Sequence, residues 1–182
     1  MWCARIPGHI EGGHVGLRLL GLSDISYVKE ALVDPQISGT SLLAKPVSLS
    51  WLSVWWWIRK TFPLIYSIEC NSRRIGFIGI YNLTPGRSSE ISLVIYKDRD
   101  RRRGYGSRAF AIFANYLKEC HLLTHLIVKI KTDNDMSISF WQKLGFREIQ
   151  IAGNIMTLHM SLDHDTGRCI EWSGRGETNF AL

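Results

Sequence analysis

Along the chain, short apolar runs bounded by turn residues alternate with stretches of helical period, a pattern that predicts mixed strands and helices. Val15 to Leu20 reads as a first strand, and Ser23 or Asp24 caps a short helix that ends near Leu32. Between Ser48 and Lys60, residues Trp51, Val54, Trp55 and Ile58 make one apolar stripe at helical spacing, which predicts a helix buried on that side. Trp56 and Trp57 fall off the stripe. Leu64 to Glu69 and Arg74 to Ile80 flank Asn71-Ser72 and predict a hairpin, and Glu90 to Tyr96 follows the turn at Pro85-Gly86 as the next strand.

In the second half, the segment from Gly106 to Cys120 gathers Ala109, Phe110, Phe113, Tyr116, Leu117 and Cys120 on one helical face. A strand follows at Leu126 to Ile130. Asn134 then caps a helix with Met136, Phe140 and Leu144 inward and Gly145 as its stop. Phe146 to Gln150 and Ile155 to Leu162, joined at Gly153-Asn154, predict a final hairpin. Residues 1–14, glycine-rich and without period, read as a poorly ordered lead-in. Residues 163–182 read as a peripheral or disordered tail, which leaves 15–162 as one domain.

Composition narrows the picture only a little. A chain of 182 residues, 46% hydrophobic and 21% charged, is ordinary for one globular domain with a sizeable core. The formal charge of +6 raises nucleic acid or a membrane surface as partners. Much of that excess lies between Lys97 and Arg108, however, where a polyanionic ligand explains it locally, so neither partner is expected. Four scattered cysteines without a C-x-x-C pair signal no zinc site and no disulfide framework, and fit a reducing cytoplasm. The most apolar cluster, Val54 to Ile58, is too short to span a bilayer.

The candidate chemistry centres on Tyr96-Lys97-Asp98-Arg99-Asp100-Arg101-Arg102-Arg103-Gly104-Tyr105-Gly106-Ser107, entered from a strand and left through a helix. Gly104 and Gly106 permit positive φ and close backbone approach, so that N–H groups at a helix N-terminus converge on phosphate oxygens beside three arginines. A Walker loop is excluded because no Gly-Lys-Ser/Thr follows. The dinucleotide fingerprint is formally present at Gly104, Gly106 and Ala109. In that fold, though, the strand enters the first glycine almost directly, whereas Lys97 to Arg103 intervene here.

The remaining type is Arg-x-x-Gly-x-Gly, Arg101 to Gly106, which resembles the acyl-CoA pyrophosphate loop of the GNAT N-acetyltransferase superfamily. One helix and one strand later, Asn134, Ser137, Trp141, Lys143, Gly145 and Phe146 resemble the second signature of that superfamily at its spacing. The resemblance extends over roughly residues 16 to 162. It implies a mixed α/β fold with a mostly antiparallel sheet of about six to seven strands flanked by helices. It also implies acetyl-CoA as co-substrate, with no metal. Ile95 and Tyr96 would offer backbone groups to the pantetheine where the strand splays from its neighbour. Arg101, Arg102, Arg103, Gly104, Tyr105, Gly106 and Ser107 would hold the phosphates, and Asn134 and Lys143 would lie near the cofactor.

The implied reaction is attack of a primary amine on the acetyl thioester. The acceptor is an amino sugar nucleotide, a polyamine, an antibiotic or a protein N-terminus, among which the sequence does not choose. Glu90 stands where many relatives carry an acid and is the first candidate base, with Glu69 second. Trp56 and Trp57, on the segment that walls the acceptor cleft in the superfamily, are candidates for the substrate pocket or for a homodimer interface. One departure stands out. Trp141 occupies a position where relatives commonly place a tyrosine thought to protonate the leaving thiolate, and an indole N–H is no acid. Tyr96, Tyr105 or water would have to serve instead, or no acid is needed. That departure keeps a non-catalytic acyl-CoA-binding or regulatory module as the alternative.

Overall fold

The computed structural model describes residues 6–38, 42 and 46–162; the tail read from 163 onward lies outside them. Strands β1 (His9–Gly12), β2 (Val15–Leu19), β3 (Leu64–Cys70), β4 (Arg73–Thr84), β5 (Ser88–Ile95), β6 (His125–Lys131), β7 (Arg147–Ala152) and β8 (Ile155–Ser161) form one sheet. Its order is β1-β2-β3-β4-β5-β6-β8-β7. Neighbours are antiparallel except β5 with β6. This is the mixed, mostly antiparallel sheet that the resemblance implies, with eight described strands in place of about six to seven.

The additional edge strand is β1, inside the segment read as a lead-in. It pairs with β2 from His9↔Arg18 to Gly12↔Val15 through a two-residue turn in which Gly13 takes φ 75°. Four residues that are mostly exposed leave no alternation for a sequence to display. The β3–β4 hairpin turns at Asn71 and Ser72, both in the left-handed region (φ 49° and 62°), as a tight two-residue hairpin turn requires.

Helices α1 (Ile25–Val33), α2 (Pro35–Ser38) and α3 (Trp51–Thr61) belong to one side of the sheet; α4 (Tyr105–Glu119) and α5 (Asp135–Lys143) belong to the other. The division follows the pleat of the strands. On β4, Phe77 and Tyr81 pack with Ile25, Val28, Val54 and Ile58, while Ile78 and Ile80 pack with Phe110, Phe113 and Leu117. None of the described helices is long and apolar enough to cross a membrane.

The tryptophan helix corrects the expected stripe. Val54 and Ile58 are buried, but Trp51 is 48% exposed, and Trp57, placed off the stripe, packs edge-on against Phe62 with centroids 5.8 Å apart. The buried side of α3 is thus turned toward Trp57. Trp56, at 66% exposure, points outward.

Candidate active site

The site is organised by a short parallel pairing. Strands β5 and β6 pair over Ser88↔His125, Ser89↔Leu126 and Glu90↔Ile127 and then part. The Tyr96 N–H donates to the Ile75 carbonyl at 2.8 Å, continuing the β4 ladder. Since backbone groups alternate between the two edges of a strand, Ile91, Leu93 and Ile95 turn theirs toward the gap. Arg101 Nε donates to the Ile95 carbonyl at 3.1 Å, so Leu93 and the Ile95 N–H remain to face it. Of the predicted pair, then, Ile95 lies on the open edge and Tyr96 does not, because consecutive residues cannot both present their backbone to one side. The Tyr96 ring lies on the α1/α3 face, stacked on Tyr27 at 6.1 Å, and burial pushes its phenol upward.

The arginine loop also divides its labour. Arg101 folds back: its guanidinium donates to the Ile95 carbonyl and, at 2.6 Å each, to Gln36 Oε1 and Asp98 Oδ1. It staples the loop to the strand end and to α2, so the guanidinium expected beside a phosphate is engaged within the protein. Asp100, buried, receives both terminal nitrogens of Arg73 at 2.7 and 3.2 Å. With both ends fixed, the chain passes through Arg102 at φ 59° and Gly104 at φ 77°, the latter capping α4. Arg102 and Arg103 are exposed.

In α4 the first intrahelical bond is Arg108 N–H to the Gly104 carbonyl at 3.0 Å. The N–H groups of Tyr105, Gly106 and Ser107 precede it and have no acceptor within the helix. Gly106 itself is helical and has no positive φ. Its role is close approach, since a Cβ there would sit 3.4 Å from Leu93 and from the Phe140 ring.

Beyond the gap, Asn134 Oδ1 caps α5 by accepting from Ser137 N–H at 3.2 Å, and Lys143 is exposed in its last turn. Nine residues of helix separate the two by roughly 13 Å along its axis, so they stand at opposite ends of α5. Trp141 is 5% exposed, with its ring 4.9 Å from Phe146, 5.1 Å from Phe140 and 5.7 Å from Phe110. It is a core residue.

On the α1/α3 face, at the last rung before the strands part, stands Glu90, 9% exposed. Its Oε1 accepts from Asn82 Nδ2 and from Lys129 Nζ, each at 2.9 Å. Tyr81 lies opposite it on β4, and burial together with the Glu90 charge pushes that phenol upward. Trp57 packs on Phe62, whose ring is 5.8 Å from Tyr81. Glu69 lies two strands away from β5, where Arg18 Nε binds it at 2.8 Å while the same guanidinium grips buried Asp24 at 2.7 Å. Lys129 and Asn82 were not singled out in the sequence; the only sign was a lysine interrupting the apolar run of β6.

The family model of the acetyltransferase (GNAT) domain matches residues 14–147. A search of the curated proteins finds no match. Solved structures share the fold. A domain from Methanocaldococcus jannaschii superposes with TM-score 0.69 at 18% identity, over 81% of this chain and 97% of its own. The Salmonella typhimurium acetyltransferase that modifies the N-terminal serine of ribosomal protein L7/L12 gives 0.70 at 12%, over 85% and 99%. Spermidine N-acetyltransferase from Vibrio cholerae, solved with CoA and spermine, gives 0.70 at 14%, over 82% and 96%. With a splayed parallel pair, an arginine and glycine loop capping the helix behind it, and a domain match over most of its length, the chain belongs to the GNAT acetyltransferase family.

Proposed function

We propose that the protein transfers an acetyl group from acetyl-CoA directly to a primary amine. The observation that carries this reading is the position of Glu90, a buried carboxylate at the point where β5 and β6 part, on the face opposite α4. The gap fits the co-substrate. Leu93 and the Ile95 N–H offer strand-type hydrogen bonds to pantetheine amides, and the bare Gly106 keeps the neighbouring helix close. The first-turn N–H groups of α4 and the guanidinium groups of Arg102 and Arg103 suit a pyrophosphate.

In the transfer a C–N bond forms, the thioester C–S bond breaks, and the amine gives up a proton. Glu90 is suited to take that proton, directly or through water. Lys129 and Asn82 bind Oε1 and fix the carboxylate, which the Tyr81 phenol also hydrogen-bonds. Trp141 supplies no proton, being an indole in the core. The Tyr96 phenol, raised by burial and turned to the other face, is no better. A thiol with an ordinary pKa of about 8.5 leaves as thiolate without an acid. Free thiols at Cys70 and Cys120 suit a reducing compartment such as the cytoplasm.

The test is free-thiol release from acetyl-CoA across a panel of primary amines. Amine-dependent release that is lost in Glu90→Gln supports the reading. CoA binding with no release for any amine points instead to a non-catalytic acyl-CoA module.

A further inference from the structure

A second concave surface begins beside Glu90. It is an open trough of about 490 Å³ whose lining includes Arg87, Ser88, His125, Ile127, Ile149 and His159. Its floor is fixed by strand register. Residues directly opposite one another on paired strands share a face. Ser88↔His125, Glu90↔Ile127 and Ile127↔His159 therefore place all five side chains on the α1/α3 side. Ser88 is two residues before Glu90 on one strand, about 7 Å away. The trough is thus the continuation of the Glu90 corner along the sheet, away from the arginine loop.

Its chemistry is one-sided. The lining carries a guanidinium and two imidazoles and no carboxylate. Glu90, at the end of the trough, is already bound to Lys129. The imidazoles of His125 and His159 lie 6.2 Å apart by centroid, and Thr124 Oγ1, which donates to the Arg87 carbonyl at 2.7 Å, holds the His125 ring through Nδ1 at 2.8 Å. Arg147, opposite His159 on β7, adds a further cation on the same face. A guanidinium in the same trough as two imidazoles offers the planar fork that suits carboxylate or phosphate oxygens.

We propose that this trough binds an anionic group of the acceptor, so that the preferred substrate is a primary amine that also carries a carboxylate or phosphate. This rests on the acetyltransferase reading for its outcome, but the anion site exists independently of turnover. A polycationic amine such as a polyamine is a poor fit, because its second charge would fall against Arg87.

Two measurements decide it. Matched acceptors are compared by kcat/KM: glucosamine against glucosamine 6-phosphate, and tripeptides with a free N-terminus followed by two acidic or two basic residues. The anionic member is expected to win by tenfold or more in at least one pair, and the winning pair tells a sugar phosphate from an acidic peptide. Arg87→Glu should abolish that preference or reverse it. Acetylation of amines with no anionic preference, or with a preference that survives Arg87→Glu, overturns the trough and leaves the acetyltransferase reading standing. If no amine is acetylated, that reading fails, and titration with inorganic phosphate still decides the trough. Saturable shifts of the His125 and His159 ring resonances, lost in Arg87→Glu, support it; unmoved resonances overturn it.

Discussion

Lys129 Nζ lies 2.9 Å from Glu90 Oε1, bridging β5 and β6 at the rung where they part. The contact gives the buried carboxylate a counter-charge and a fixed orientation. Glu90→Gln is expected to lower kcat near neutral pH about a hundredfold or more, with CoA affinity retained and activity partly recovering at high pH as free amine accumulates. Lys129→Met keeps the base but frees it, so its loss should be smaller. Because the two groups act as one unit, the double variant should be no slower than Glu90→Gln alone. Steady-state rates of the four proteins form the cycle, and additive losses would separate Lys129 from the base.

The arginine loop gives a prediction in which adjacent arginines behave differently. Arg102→Glu, at an exposed position, should weaken CoA binding at least tenfold by calorimetry with an unchanged urea midpoint. Arg101→Gln removes the staple on Ile95, Asp98 and Gln36 and should lower the urea midpoint as well as the affinity. Equal effects of the two on stability would contradict the division of roles.

Gly106 tests close packing. Gly106→Ala places a methyl in ordinary contact with Leu93 and Phe140, whereas Gly106→Val forces branches into both. Alanine should cost little CoA affinity, and valine tenfold or more. Calorimetry of the pair is the check, with equal affinities arguing against it.

Trp141 tests the core assignment. Trp141→Ala should destabilise the protein by about 3–5 kcal/mol, and Trp141→Phe by much less. In Trp141→Phe the shape of the pH–rate profile should not change. Loss of its alkaline limb would show that the indole position takes part in proton transfer.

Alkaline stability follows from the buried phenols. Burial pushes Tyr66 up to about 12, and Tyr81 and Tyr96 move in the same direction. In the unfolded chain these groups ionise near pH 10, so above that pH the unfolded state gives up protons that the folded state keeps. Stability is therefore undiminished by these groups below pH 10 and falls as pH rises from 10 through 12. Urea midpoints at pH 9 and 11 should show the drop. Tyr66→Phe, which also removes the hydrogen bond to the Pro7 carbonyl, should make the slope shallower.

The sequence by itself determined the elements and the family. Helical and strand periods, the turn residues at Asn71-Ser72 and Gly153-Asn154, the Arg101 to Gly106 loop and the spaced signature from Asn134 to Phe146 are short-range features that a linear chain displays. Tertiary structure decided what each residue faces. Whether Tyr96 or Leu93 opens its backbone to the gap depends on which edge of β5 the β4 ladder occupies. Arg101 turned inward and Arg102 outward because buried Asp100 and the left-handed Arg102 set the path of the loop. Trp141 became a core residue through Phe110 and Phe146, which stand on other elements. Lys129 is 39 residues from Glu90, and α4 lies between them. The two meet because β5 and β6 pair in parallel in one particular register, a choice made by packing both faces of the whole sheet and written in no local stretch of the chain.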